Sequence, residues 1–515
     1  MTKTSYRGLV LAALAAAALF RFPSLGLRPM HHDEANQAVK FGALLERGEY
    51  AYDKSDHHGP SLYYATLASA YARGRATLAD LDEATLRLVP AVFGLGLVAL
   101  CLSFGTSLHP GAAALAALLA AFSPAMTYYS RFYIHEALFA FFALALLVGL
   151  WRYTERLSSL AAMAAGLSAG LLFATKETSV IIIPAAVVSI FLAGRLRGKT
   201  AFGPAVRLKI SGEHVFLALL AFLAAAAVLY SSLGRNLDGP VDAVTAFKDY
   251  FAKGAAPSLH AHPLGYYLGI LVFSKSGGLV WSEGAVFVLT LVGLAAIIAR
   301  RSESIAGRRL GLYVAVYAGL TTGTFFLLPY KTPWNVLAFY TGWLLLAGIG
   351  GAFLIRAARK PALKAAVLVL LAAGLAHLGL QNYRANIRYP ADPRNPYVYA
   401  QTSPDFLKLV RRVEDLAAVH PAKKSLLIKV VAGPYEQWPL PWSLRGYQNV
   451  GYWKNPADAG TLRDAALVIA SDENASLLLP ALGDSHQVEY YGLREGTLLA
   501  LFIPDALWNR FLLSR

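Results

Sequence analysis

The chain has 515 residues, 56% hydrophobic and 15% charged, with a mean hydropathy of +0.47 and a formal net charge of +16. A soluble domain carries about 25% charged residues, so a soluble globular enzyme is excluded and a polytopic membrane protein is indicated. The single cysteine, Cys101, lies inside an apolar run and rules out an intrachain disulfide.

In chain order, the first element is an apolar run over 7–26, preceded by Lys3 and Arg7. Arg21-Phe22-Pro23 follows where a signal peptide would show small residues, so the run reads as a retained signal-anchor helix. Runs of about 17–25 apolar residues, enough to cross a hydrocarbon core, recur at 87–108, 112–128, 135–151, 159–175, 177–194, 214–233, 280–299, 310–328, 335–355 and 362–380. The reading is therefore an all-α membrane protein of about eleven spans. Spans three to six are rich in Ala and Gly, which permits close helix packing. Beyond 381 apolarity falls. A helical pattern over 404–418 and strand-like "SLLIKVVA" (425–432) and "AALVIA" (465–470) predict a C-terminal α/β domain, 382–515, after a transmembrane domain, 1–381.

With the N-terminus cytoplasmic, Arg152, Arg156, Arg195, Arg197, Arg300, Arg301, Arg308, Arg309, Arg356 and Arg359 all fall on inner turns. That is the positive-inside pattern, so the basic balance reflects topology in a plasma membrane and not a nucleic-acid surface. An odd number of spans puts the C-terminal domain outside. The long outer loops are 28–86 and 234–279.

The same side collects five polar clusters: His31-His32-Asp33-Glu34; Asp53, Asp56, His57 and His58; Arg131, His135 and Glu136 in "YYSRFYIHEA"; Lys176, Glu177 and Thr178 in "ATKETS"; and Lys331, Trp334 and Asn335 in "PYKTPWN". Ionisable groups near membrane depth face a protein interior or a wet cavity, so one shared cavity is expected.

The chemistry that fits is group transfer from a phosphorylated donor. Asp33, Glu34 and Glu136 are the candidate catalytic carboxylates. Arg131, Lys176 and Lys331 are candidates for the donor phosphate. His32, His57, His58, His135, Glu177 and Trp334 are candidates for positioning acceptor or substrate. A divalent cation (Mg, Mn or Zn) would fall to Asp33, Glu136 and His58, although neither His-His pair has the spacing of a zinc signature. Plainer readings stand beside these: Arg131 and Lys176 as interfacial anchors, Glu177 as an acid favouring a helix N-terminus, and His57-His58-Gly59-Pro60 as a turn. Trp438, Trp442 and Tyr447 either stack on an acceptor glycan or belong to the core.

"MHHDEANQAVKFGALLERGEYAYD", "HHGPSLYY", "YYSRFYIHE", "FATKET", "YKTPWN" and "WPLPWSLRGYQNVGYW" together resemble the GT-C integral-membrane glycosyltransferases. That superfamily includes protein O-mannosyltransferases, the lipid A aminoarabinose transferase and oligosaccharyltransferases. Within it, the strings are most similar to the flippase activity-associated proteins linked to archaeal N-glycosylation. The resemblance implies a polyprenyl-phosphate sugar donor and an extracytoplasmic site, with Asp33 as the first-loop acid, Glu136 as the second acid and Lys176 at the donor phosphate. The expected reaction is glycosyl transfer, with inversion, to a hydroxyl of a glycan, protein or lipid. The alternatives are a lipid-linked glycan translocase or accessory subunit without catalysis, and a hydrolase of lipid phosphates.

Overall fold

The computed structural model describes residues 2–54, 58–198, 210–255, 260–299 and 305–515; the expectations for Asp56, His57, Arg300 and Arg301 lie outside them. Every expected span forms a helix: Lys3–Arg21, Glu83–Leu102, Pro110–Phe122 with Pro124–Ser130, Glu136–Arg156, Ser159–Phe173, Ser179–Gly198, Gly212–Tyr230, Gly284–Ile298, Ile305–Leu327, Val336–Ala357 and Pro361–Tyr383. This is a multi-pass membrane architecture, yet the count of eleven crossings is not reproduced. Among the described residues six helices are long and apolar enough to cross a membrane, seven if the bent pair is one span. Ser159–Phe173 and Gly284–Ile298 are shorter; fifteen residues rise about 22 Å against a hydrocarbon core of about 30 Å.

The third expected span is broken by 61° between Phe122 and Pro124. Pro124 has no N–H to continue the first helix and suits the start of the second. The carbonyls this frees are satisfied internally, as lipid requires. Arg21 donates to Ala120 (2.9 Å) and Ala121 (3.2 Å), and Asn382 Nδ2 donates to Phe122 (3.1 Å) and Ser123 (3.3 Å). On the other side Glu283 accepts from Ser123 Oγ (2.6 Å), Ala125 N (2.8 Å), Tyr340 (2.7 Å) and Tyr397 (2.8 Å). The bend carries the chain into the Arg131–Glu136 turn below the first outer loop. Small residues pack the bundle as expected: a Cβ at Gly166 would lie 2.0 Å from the Ala218 carbonyl oxygen.

Two helices, His32–Arg47 and Ser61–Ala72, lie in the first long outer loop. The second long loop includes a helix, Gly239–Ala255, and ends in a hairpin of β1 (Ser274–Ser276) and β2 (Leu279–Trp281). After the bundle, β3 (Leu427–Val431), β4 (Asn449–Trp453), β5 (Leu467–Ser471), β6 (His486–Arg494) and β7 (Thr497–Pro504) form one sheet in the order β4-β3-β5-β7-β6. β3 runs parallel to β4 and β5; β7 is antiparallel to β5 and β6. Ile428, Val430 and Leu501 face helices Phe406–Val419 and Asp505–Leu513, while Val431, Val468 and Phe502 face helix Asp472–Leu482. The sheet region is tied to the outer loop by Gln401 to the Pro29 carbonyl (2.9 Å), Trp442 to Glu83 (3.0 Å) and Arg445 to the Leu81 carbonyl (2.6 Å). Trp442 is therefore a buried docking residue, and Tyr447 packs against the sheet core.

Candidate active site

The opening cluster is the start of helix His32–Arg47, and its four residues do four different things. His31 is the N-cap. Its Nδ1 accepts the Asp33 N–H (3.0 Å), and the Glu34 carboxylate accepts the His31 N–H (3.1 Å), completing a capping box. The His31 Nε2 lies 3.0 Å from the Tyr399 carbonyl. An amide only donates and a carbonyl only accepts, so the ring is the neutral tautomer with its proton on Nε2. Burial lowers its pKa in the same sense, against the raising influence of Asp33 and Glu34.

Glu34 is wholly buried. Arg87 grips both its oxygens, Nε to Oε1 and Nη2 to Oε2, each at 2.7 Å, and the Tyr133 N–H adds a bond at 2.8 Å. Arg87 also donates to the Leu25 (2.7 Å) and Arg28 (2.9 Å) carbonyls. This buried pair clamps the loop between the first helix and the second. Arg131 is equally committed. Nη1 donates to the Phe20, Arg21 and Pro23 carbonyls and Nη2 to that of Ser24, so the side chain caps the first helix at its carbonyl end. Lys331 is tied to the carbonyls of His262 (3.1 Å) and Leu328.

A second set lies where 58–61 runs beside 174–177, with Gly59 N bonded to the Thr175 carbonyl and Ser61 N to that of Ala174. Lys176 Nζ meets Glu136 Oε1 at 2.5 Å and Asn335 Oδ1 at 3.3 Å, nearly out of solvent. Glu177 holds His58 twice, accepting its backbone N–H (2.9 Å) and meeting ring Nδ1 (3.2 Å). These bonds offset a His58 φ of +117°, a region that costs a non-glycine residue about 1–3 kcal/mol. The His135 ring lies 5.0 Å from that of His58, tilted by 50°, with Nε2 on the Gly59 carbonyl (2.9 Å).

Asp33 differs from the other acids. Its side chain is 39% exposed, against 0% for Glu34, 6% for Glu136 and 4% for Glu177. Aromatic side chains stand on two sides of it. On one, Trp334 lies 6.0 Å from His31 and 5.8 Å from Tyr399, and His260 reaches the Tyr399 hydroxyl at 2.6 Å and the Tyr330 ring at 4.9 Å. On the other, His32 packs against Tyr435 (6.1 Å) and Trp438 (5.8 Å), while Arg494 donates to the Tyr435 carbonyl (2.5 Å). Burial, then the Asp33 charge, push the Tyr330 hydroxyl up to about 12 and the Tyr399 hydroxyl above its usual range. Burial lowers Arg494, opposed by Glu436 and Asp33. Asp33 is thus felt from both walls.

Residues 21–233 match the dolichyl-phosphate-mannose-protein mannosyltransferase family. The fold is that of ArnT from Cupriavidus metallidurans, in the apo state (TM-score 0.62, 14% identity, 96% of this chain and 98% of that one) and bound to undecaprenyl phosphate (0.63, 16%, 96% and 98%). It is also that of the Archaeoglobus fulgidus oligosaccharyltransferase tethered with an acceptor peptide (0.58, 12%, 99% and 77%). The chain shares the fold of these solved structures over nearly its whole length. No curated protein matches its sequence at a significant level. The family match spans 28–86, the Arg131–Glu136 turn and Lys176, and leaves Lys331, Asn335 and the residues beyond 233 outside it.

The chain does not gather the ligand set expected for a divalent cation. Glu136 is paired with Lys176, His58 with Glu177, and Asp33 faces the aromatic walls. Among the described residues no group of three His, Cys, Asp or Glu side chains is disposed to hold a metal ion. Of the expected phosphate ligands, Lys176 alone has its cation beside a carboxylate and an amide; Arg131 and Lys331 are used on backbone carbonyls. Sequence reading missed Arg87, Arg494, Tyr330 and Tyr399. Only the exposed aromatic Tyr330, next to Lys331 in a turn, carried a local signal.

Proposed function

We propose that this chain is a GT-C-type glycosyltransferase of the plasma membrane, moving a sugar from a polyprenyl-phosphate carrier to an acceptor hydroxyl on the extracytoplasmic face with inversion. The observation that carries the reading is Asp33, the one acid of the central set with an accessible carboxylate. It stands at the start of a helix made rigid by the capping box and the Glu34–Arg87 clamp. The lipid-linked donor rests on likeness: ArnT of the same fold is solved with undecaprenyl phosphate, and the N-terminal family uses dolichyl-phosphate-mannose.

In this reaction the acceptor oxygen attacks the anomeric carbon while its proton passes to Asp33. The bond from that carbon to the phosphate oxygen breaks. Polyprenyl phosphate departs with the electron pair, gaining a negative charge that the Lys176 ammonium offsets. Glu136 and Asn335 aim that ammonium. Attack on the face opposite the leaving group inverts the centre. Glu34, Arg87 and Arg131 act as positioning residues. No step here runs through a metal ion.

The test uses purified protein in lipid nanodiscs with a panel of polyprenyl-phosphate sugars, with and without divalent cation and with candidate acceptors. Release of polyprenyl phosphate from one donor, dependent on acceptor, is expected. Movement of intact donor between leaflets without bond cleavage would replace this reading with translocation. Phosphate released from the lipid without any acceptor would make the chain a hydrolase.

A further inference from the structure

The wall of the Asp33 site formed by Tyr435, Trp438 and His32 has no part in donor chemistry, and it is built in an unusual way for a surface. Tyr435 is 70% exposed, although a large ring left in water gains nothing from burial. It sits in a turn closed by the Gln437 N–H on the Gly433 carbonyl (3.0 Å). Arg494, at the end of edge strand β6, pins the turn by its bond to the Tyr435 carbonyl. His32, next to Asp33 in the chain, lies against both Tyr435 and Trp438. The result is a held set of rings, Tyr435 exposed and Trp438 and His32 half-buried, next in the chain to Asp33. Partly exposed polar groups border it: Asp33 and His32 from the first long loop, Glu436 and Arg494 from the sheet region.

A pyranose ring has C–H bonds on its faces and hydroxyls around its edge. Its C–H face fits the electron-rich face of an aromatic ring, and its hydroxyls need donors and acceptors at the rim. Rings with a charged and hydrogen-bonding border fit that pattern on both counts. Resting on the transferase reading above, we propose that the acceptor is a glycan whose terminal pyranose stacks on Tyr435 and Trp438, presenting one hydroxyl to Asp33. Arg494 has a double duty here: it fixes the turn through one nitrogen and offers remaining N–H groups to the sugar. The carrier of the glycan, lipid or protein, lies beyond the platform and is not distinguished by it.

The experiment measures binding without donor, by saturation-transfer NMR and calorimetry on the full chain in nanodiscs. The probes are mannotriose, maltotriose, galactotriose and chitotriose, with a Ser/Thr-rich peptide as the competing class. At least one trisaccharide binds saturably. Tyr435→Ala, at an exposed position that leaves the fold intact by its melting curve, weakens that binding by about tenfold or more, and Tyr435→Phe retains it. The proposal is overturned if no trisaccharide binds, if Tyr435→Ala binds as well as the parent, or if the peptide alone binds in a Tyr435-dependent way. The two readings fail separately. Tyr435-dependent trisaccharide binding without consumption of any donor leaves the platform and removes the transfer; transfer to a peptide with no trisaccharide binding does the reverse.

Discussion

Glu34→Gln separates a structural carboxylate from a catalytic one. In the parent, both Glu34 oxygens accept from Arg87 at 2.7 Å, and the Tyr133 and His31 N–H groups add bonds at 2.8 and 3.1 Å. The substitution replaces one acceptor oxygen by an NH₂ that opposes an Arg87 N–H, and it removes the negative charge. Arg87 is then left charged and fully buried. Breaking one side of such a pair costs about 3–5 kcal/mol. Melting in detergent or nanodiscs should fall by several degrees, with transfer activity lost in step with folded protein. Adding Arg87→Met removes the stranded charge but leaves the Leu25 and Arg28 carbonyls without their donor, so the double variant should regain part of the loss, with a favourable coupling of about 1–3 kcal/mol in the cycle. Glu34→Gln protein that melts like the parent yet transfers nothing would refute the structural assignment and return Glu34 to the chemistry.

Three other outcomes follow from the same geometry. Arg131→Lys cannot reach the four carbonyls that Arg131 caps; each lost charged bond is worth about 1.5–3 kcal/mol, so melting falls while donor KM holds, and a raised KM with unchanged melting would restore its phosphate role. The double variant Lys176→Met with Glu136→Gln removes both charges of the buried pair and keeps the fold; donor Kd measured by lipid binding should rise by about tenfold or more, and an unchanged Kd would end the phosphate role of Lys176. His31 is neutral in the fold with its pKa lowered from 6.5 by burial, so the unfolded chain binds more protons below that value and stability falls as pH drops through 6.5 toward the folded pKa. His31→Asn keeps an N-cap acceptor and should flatten that part of the pH–melting curve; an identical slope would show that other groups cause it.

The helices were legible because each is announced by a long apolar run, and the arginines on alternate turns were the ground for expecting the polar clusters on one side. The roles inside a cluster were not. Asp33 and Glu34 are adjacent at a helix start, where successive residues point about 100° apart; one carboxylate is partly exposed and the other is buried, and their identities alone do not say which. The partner that decides it, Arg87, lies 53 positions away. Arg131 has the chemistry of a phosphate ligand, but the carbonyl end of the first helix reaches it first. Lys176 meets Glu136 and Asn335, which come from two other turns that the sequence places on its own side of the membrane. Among the described residues, Ser159–Phe173 and Gly284–Ile298 are as apolar as the longer helices but short of a full crossing length. In the sheet region β7 is nearly all buried, so its "TLLALFIP" lacks the alternation that marks a half-buried strand. Glu283, the latch of the helix break, is a lone acid before an apolar run and gave no periodic sign.

The most direct test of the account is Asp33→Asn, near-isosteric and at a partly exposed site. On one nanodisc preparation, donor Kd and the single-turnover rate of acceptor-dependent cleavage are measured together. The account predicts a donor Kd close to that of the parent and a rate lower by about a hundredfold or more, the contribution of a positioned general base. A full rate in the variant would contradict it and remove Asp33 as the base.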